Sequence, residues 1–152
     1  KTKKMKILLA SDHSGYSIKS YVYQNLRLLE GVEVKDLGAH SYGQCDYPEF
    51  ANKLCEEMKK SENTFGVLVC GSGMGMCMAA NRHKHIRCGL CRTTDDAVIC
   101  REHNNANVIA LGSRFTAEDL ALNVVFKFIN TEFLGDKDKK YERHRERINQ
   151  IS

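Results

Sequence analysis

Cys70 is followed by glycines at 71, 73 and 75, and this is the place in the chain where residue type and spacing point most directly to chemistry. Alternate glycines let the backbone curl so that successive N–H groups point inward at an anion. A thiol leading into a helix N-terminus lies among those groups, which favour its thiolate form. A base beside an anion hole suits removal of a carbon-bound proton next to a carbonyl, because the enediolate oxygen that forms must be stabilised. A structural cysteine before a tight turn is the plain alternative. Three alternate glycines after the thiol favour the site.

Rival motifs fail on the same letters. A dinucleotide-binding turn, Gly-x-Gly-x-x-Gly, fits Gly71 and Gly73 but meets Met76 in the third place. A Walker loop needs Gly-Lys-Ser/Thr where Gly75-Met76-Cys77 stands. A cysteine phosphatase needs an arginine where Met76 is found. Cys88-Gly89-Leu90-Cys91 has redox or zinc spacing, yet it lies in an apolar run where residues three apart face opposite ways, and no second pair follows. Core packing is its expected role. His103 could shuttle a proton and Asn104 could bind sugar hydroxyls, or His103 could merely end a helix; the residues alone leave both open. Arg143 and Arg147 share a helix face and suit a phosphate. Glu142 and Glu146 could equally pair with them on a solvated helix, and on pattern alone that bland reading leads.

These residues need elements to position them. Ile7–Ala10, Val32–Leu37, Phe65–Val69, Ile86–Cys91 and Val108–Leu111 have strand length and apolar or β-branched composition. Between them run helical periods. Ile18, Val22, Leu26 and Leu29 form one face closed by Gly31, and Phe50, Leu54 and Met58 form another, with Asp46 as cap and Pro48 in the first turn. Met74–Asn81 and Asp95–Glu102 read as helices, and Thr116 with Asp119 as a capping box before Leu120, Val124 and Phe128. The charged stretch Asp136–Ile151 holds a C-terminal helix. Alternating strands and helices imply a parallel sheet covered on both faces, with sites beyond the carboxyl ends of the strands. Residues that follow strands are therefore the ones to watch: Asp12 and His13, Cys70 to Gly75, and Arg114.

With 152 residues, one domain over 1–152 can bury a sizeable core. A net charge of +4 is too mild to suggest nucleic acid, and basic and acidic residues are interspersed in the tail without an aromatic platform. The longest apolar runs are far too short to span a bilayer. The basic start, Lys1–Lys6, leads into only a few apolar residues, so no export signal is expected. Seven cysteines without a disulfide rhythm then read as reduced thiols, and the expected location is cytoplasmic.

The segment from Phe65 through Cys70-Gly71-Ser72-Gly73-Met74-Gly75 to Asn81 strongly resembles the ribose-5-phosphate isomerase type B family. Asp12-His13, Asp46-Tyr47-Pro48, His103-Asn104-Asn105-Ala106-Asn107, Leu111-Gly112-Ser113-Arg114 and Arg143-His144 with Arg147 extend the resemblance across nearly the whole chain. What it implies is a Rossmann-like α/β three-layer sandwich, with a five-stranded parallel sheet, helices on both faces and a C-terminal helix. It also implies a homodimer, sometimes a pair of dimers, and no metal or organic cofactor. On that likeness Cys70 is the base moving a proton between C1 and C2 of ribose 5-phosphate and ribulose 5-phosphate. Gly71, Gly73, Met74 and Gly75 line the anion hole, with Ser72 beside the reacting oxygens. His103 opens the sugar ring, and Asn104 holds the enediolate or a hydroxyl. Asp12 and Tyr47 contact the sugar, while His13, Arg114, Arg143 and Arg147 form the phosphate set. His103 and Asn104 of such proteins reach into the partner's site. Some relatives carry a glutamate base shortly after the cysteine position; Met74 and Met76 leave Cys70 as the base here. Related enzymes act on galactose 6-phosphate or allose 6-phosphate, so a six-carbon substrate is the sibling reading.

Overall fold

The computed structural model describes residues 4–151. Each strand is followed by a helix: β1 (Met5–Ser11), α1 (Tyr16–Leu26), β2 (Val32–Asp36), α2 (Tyr47–Glu57), β3 (Thr64–Cys70) and α3 (Met74–Ala80). The second half continues with β4 (Cys88–Leu90), α4 (Thr94–Glu102), β5 (Val108–Gly112), α5 (Glu118–Asn130) and α6 (Glu142–Ile148). Among the described residues the five strands form one parallel sheet in the order β2-β1-β3-β5-β4.

Alternation along the strands sorts the core into two layers. Ile7, Leu9, Val67, Val69, Ile109 and Leu111 face α1, α4 and α5, and meet Val22, Leu26, Ala97, Val124 and Phe128. Leu8, Ala10, Leu68, Cys70, Val108 and Ala110 face α2 and α3, and meet Leu54, Cys55, Met76 and Ala80. The sheet is thus covered on both faces, as the near-continuous apolar strands require. Cys91 falls in the first layer and packs there, whereas Cys88 packs against the second. The Cys-x-x-Cys pair is split between the faces of the sheet, as its strand position predicts.

Several local expectations are corrected. α1 stops at Leu26, and Leu29 lies beyond it, 37% exposed, so the predicted stripe ends one turn early. β4 is only Cys88–Leu90, because the Arg87 amide donates to the Asn107 side chain (2.8 Å). Thr116 and Asp119 form no capping box: α5 starts at Glu118 behind Ala117, and Thr116 is buried with its hydroxyl unpartnered. Asp46 occupies the N-cap position of α2 without a side-chain bond. A side-chain cap does form at Thr93, whose Oγ1 accepts from the Asp96 amide (3.1 Å) at the start of α4.

Candidate active site

The chain leaves β1 toward β2 on one side and returns to place β3 on the other. In open α/β sheets such a switch point opens a crevice beyond the carboxyl ends of the two strands. Asp12 and His13 follow β1 there, and Cys70 is the last residue of β3. From the third side, the turn after β5 is tied to the same place: the Ser113 amide donates to the Cys70 carbonyl and the Arg114 amide to that of Gly71, each at 2.9 Å. Three loops that are far apart in sequence thus meet around one thiol.

Cys70 is 4% exposed, and its Sγ accepts from the Gly73 amide at 3.2 Å. That bond needs the turn to reverse at Gly73, which has φ +79, in the left-handed region that glycine tolerates. The Ser72 Oγ accepts from the Met74 amide (3.2 Å), so its own proton remains free to donate to an incoming oxygen. Gly75 lies in the first turn of α3 directly beneath the Tyr47 ring; a Cβ there would stand 2.5 Å from Tyr47 Cζ. The missing side chain lets the phenol lie across the loop.

The neighbours are held with similar care. Asp12 is buried, and its Oδ1 accepts from the Ser14 hydroxyl (2.7 Å) and the Gly15 amide (3.1 Å). The Cys45 amide donates to His13 Nδ1 at 3.2 Å, so the ring proton sits on Nε2, where it can serve a ligand oxygen. Arg114 is exposed, makes no ion pair among the described residues, and its Nε would lie 3.4 Å from a Cβ on Gly71. The guanidinium therefore hangs over the glycine loop.

His103, Asn104, Arg143 and Arg147 lie elsewhere in the same chain. α4 starts beyond the carboxyl end of β4 and runs back over nine residues, about 13 Å. His103 at its C-cap consequently sits at the opposite, amino end of the sheet, before β5 begins. α6 packs there too, because the His144 ring stacks on His103 at 4.4 Å between centroids with 10° between planes. The predicted phosphate set is therefore divided: His13 and Arg114 stand by Cys70, whereas Arg143 and Arg147 travel with His103. Neither arginine pairs with Glu142 or Glu146 among the described residues; the ion pair of this helix is Arg145 with Asp136, 2.5 Å. Both side chains are exposed, and Arg143 gives one N–H to the Lys140 carbonyl (2.8 Å), which leaves its other donors unused among the described residues.

Sequence reasoning gave no role to four supporting residues. Ser14 and Cys45 hold Asp12 and His13 through bonds that depend on loop geometry, which no periodicity announces. Arg87 donates to the carbonyls of Asn104 (3.1 Å) and Asn105 (3.0 Å), fixing the turn after α4. His144 carried a usable signal: it is four residues before Ile148, on the inward face of a helix whose other face is charged. Other clefts lie away from Cys70. One of about 680 Å³ is lined by Lys59, His83 and His85 near the start of β3, and one of about 350 Å³ by Arg87, Cys100 and Asn104. His83 and His85 bond to Asn52 Oδ1 and to the Cys55 carbonyl, which ties them to α2 rather than to the thiol.

Residues 7–151 match the family described as Ribose/Galactose Isomerase. The chain belongs to this family. It is 37% identical over 135 residues to a protein of Mycoplasma pneumoniae named probable ribose-5-phosphate isomerase B, covering 88% of each chain. Its fold superposes on ribose-5-phosphate isomerase B of Clostridium thermocellum with a TM-score of 0.88 and 39% identity, over 97% of this chain and 95% of that one. The enzyme of Mycoplasma genitalium, solved with bound ribulose-5-phosphate, superposes with a TM-score of 0.89 at 34% identity, over 99% and 95%.

Proposed function

We propose that the protein interconverts ribose 5-phosphate and ribulose 5-phosphate through an enediolate, with residues 1–152 acting as one isomerase domain. The observation that carries this reading is the meeting of Cys70, its loop of N–H donors and the Asp12–His13 pair at one switch point. The names of the relatives, and the ribulose-5-phosphate held by the Mycoplasma genitalium enzyme, favour a five-carbon substrate over a six-carbon one.

In this account the sugar ring is opened first. His103 gives a proton to the ring oxygen while the anomeric hydroxyl passes its own to water. Cys70 then takes the proton from C2 of the open aldose. Charge gathers on the C1 oxygen, where the Ser72 hydroxyl and the loop amides not already bonded to Cys70 Sγ and Ser72 Oγ receive it, and Asn104 steadies the enediolate. The proton returns from Cys70 to C1 while the O2 hydroxyl proton passes to O1, leaving the ketose. No redox partner is consumed: two protons move, one between carbons and one between oxygens, and one carbonyl shifts. Asp12 and Tyr47 hold hydroxyls, and His13, Arg114, Arg143 and Arg147 hold the phosphate.

The division of these groups between two ends of one sheet supports a homodimer in which each copy lends His103, Asn104, Arg143 and Arg147 to the other's Cys70. β5 alone spans about 13 Å from the end near His103 to the end near Cys70. Apolar side chains left exposed on α3 and α4, Met78 (70%) and Ile99 (49%), are suited to be covered by a second copy. Seven unpaired cysteines favour a reducing compartment and hence the cytoplasm. Among the described residues no helix is long and apolar enough to cross a membrane.

The test is turnover of ribose 5-phosphate, allose 6-phosphate and galactose 6-phosphate in buffer containing a chelator. The five-carbon sugar should lead in kcat/KM by about tenfold or more. Preference for a six-carbon sugar, or no turnover of any, would reject the reading.

A further inference from the structure

His144 is 7% exposed, its Nε2 is buried without a hydrogen-bond partner, and its ring lies flat against His103. A buried imidazole nitrogen without a partner is costly, so what holds the ring here is the flat face it lays on His103 rather than a hydrogen bond. The groups facing His144 are His103 from α4, Tyr141 from the turn before α6, and Arg143 and Arg147 from α6 itself. Burial holds its proton affinity below the ordinary histidine value of 6.5, and the charges of His103, Arg143 and Arg147 push it the same way. The ring against His103 is thus an uncharged aromatic face. Such a face attracts a cation, so it tolerates His103 gaining a proton, whereas a second imidazolium there would repel it.

We propose that His144 is a positioning residue for His103: its ring, stacked flat on that of His103, fixes the plane of the ring-opening histidine. Rotation of His103 about its side-chain bonds would otherwise sweep its nitrogens away from the sugar's ring oxygen, since His103 is only half-buried and makes no side-chain hydrogen bond among the described residues. The inference rests on the assignment of His103 to ring opening.

The test compares the wild type with His144→Ala and His144→Phe in the full chain. It uses kcat and KM on ribose 5-phosphate, and a proton NMR titration of the imidazoles that needs no activity. His144→Ala should lower kcat ten- to a hundredfold with KM changed less than about twofold, the size of loss expected when an acid–base group is misaligned. His144→Phe should bring kcat back to within about threefold, because the flat face returns. In the titration, His103 should respond to two coupled steps in the wild type and to a single step in His144→Phe.

Normal kcat in His144→Ala overturns the proposal, as does a raised KM with unchanged kcat, which would make His144 a phosphate contact. If His144→Ala does not fold, His144→Phe still decides: a kcat loss beyond tenfold, or an unaltered His103 titration, sinks the idea. Failure of the isomerase reading would look different. The wild type would then not turn over ribose 5-phosphate, or His103→Ala would be fully active, while the coupled titration stood.

Discussion

Two glycines in one loop should separate function from folding when each is replaced by alanine. At Gly75 the new Cβ would meet the Tyr47 ring at 2.5 to 2.8 Å. Tyr47 is 38% exposed, so its ring can swing away without disturbing the core. Alanine also suits the first turn of α3 better than glycine, by up to about 1 kcal/mol. Stability should therefore stay within about 1 kcal/mol, a midpoint change below about 4 °C for a chain of this size. Displacing the phenol from the loop removes a hydroxyl contact of about 0.5–1.5 kcal/mol, which raises KM roughly two- to tenfold. At Gly73 the situation reverses. The residue has φ +79, and a Cβ would meet the Leu111 carbonyl carbon at 3.0 Å and the Gly112 amide nitrogen at 3.2 Å, neither of which can move alone. Left-handed backbone costs about 1–2 kcal/mol in alanine, and crowding adds about 1 more. A midpoint lower by about 4–12 °C follows. Thermal melts and steady-state kinetics on both variants read the result. Equal destabilisation by both, or unchanged KM in Gly75→Ala, would refute the placement of Tyr47 over the loop.

Arg143→Ala and Arg147→Ala should each raise KM through loss of a charge-assisted contact of about 1.5–3 kcal/mol, with kcat little altered; unchanged kinetics would return both residues to a solvated helix. Cys70→Ala and His103→Ala homodimers should both be nearly inactive on the closed sugar. Mixed and refolded together in equal amounts, they should recover roughly a quarter of wild-type activity, because half the dimers are mixed and one of their two sites is whole. No recovery despite demonstrated exchange would place both residues in one chain's site. Glu57, held by hydrogen bonds from Lys60 and Lys35, has its carboxyl pulled from 4.5 to about 2. Its folded value lies below the unfolded one, so its stabilisation is complete above 4.5 and is lost as pH falls toward 2. Glu57→Gln should accordingly flatten the midpoint-versus-pH curve over that range; an unchanged slope would show the contacts to be immaterial.

Layering was legible in the sequence because it depends on local period. Apolar runs in β1, β3 and β5 predicted strands buried on both faces, and Val22 with Leu26 predicted the inward stripe of α1. The glycine loop after Cys70 was legible for a different reason: only a sharp, side-chain-free turn uses glycine at alternate positions. Helix ends were not. Thr116 looked like a cap, but tertiary packing buried it and moved the start of α5 to Glu118. The site itself was half legible. Strand ends put Asp12, Cys70 and Arg114 together, since they are set by the order of elements. That His103 and Arg147 share one end of the sheet follows from a ring stack between α4 and α6, a long-range contact with no periodic signature.

The central claim is that Cys70 moves the proton between C1 and C2, and exchange with solvent reads that step most directly. Wild type and Cys70→Ala are each incubated with ribose 5-phosphate in heavy water, with carbon-bound deuterium followed by NMR and binding by calorimetry. The thiolate acts on the transition state, whereas phosphate and hydroxyl contacts hold the ground state. Wild type should form ribulose 5-phosphate carrying solvent deuterium at C1. Cys70→Ala should bind the phosphosugar within about threefold of wild type, a difference under about 0.7 kcal/mol, yet incorporate no deuterium. Deuterium incorporation by Cys70→Ala at near wild-type rate would contradict the account.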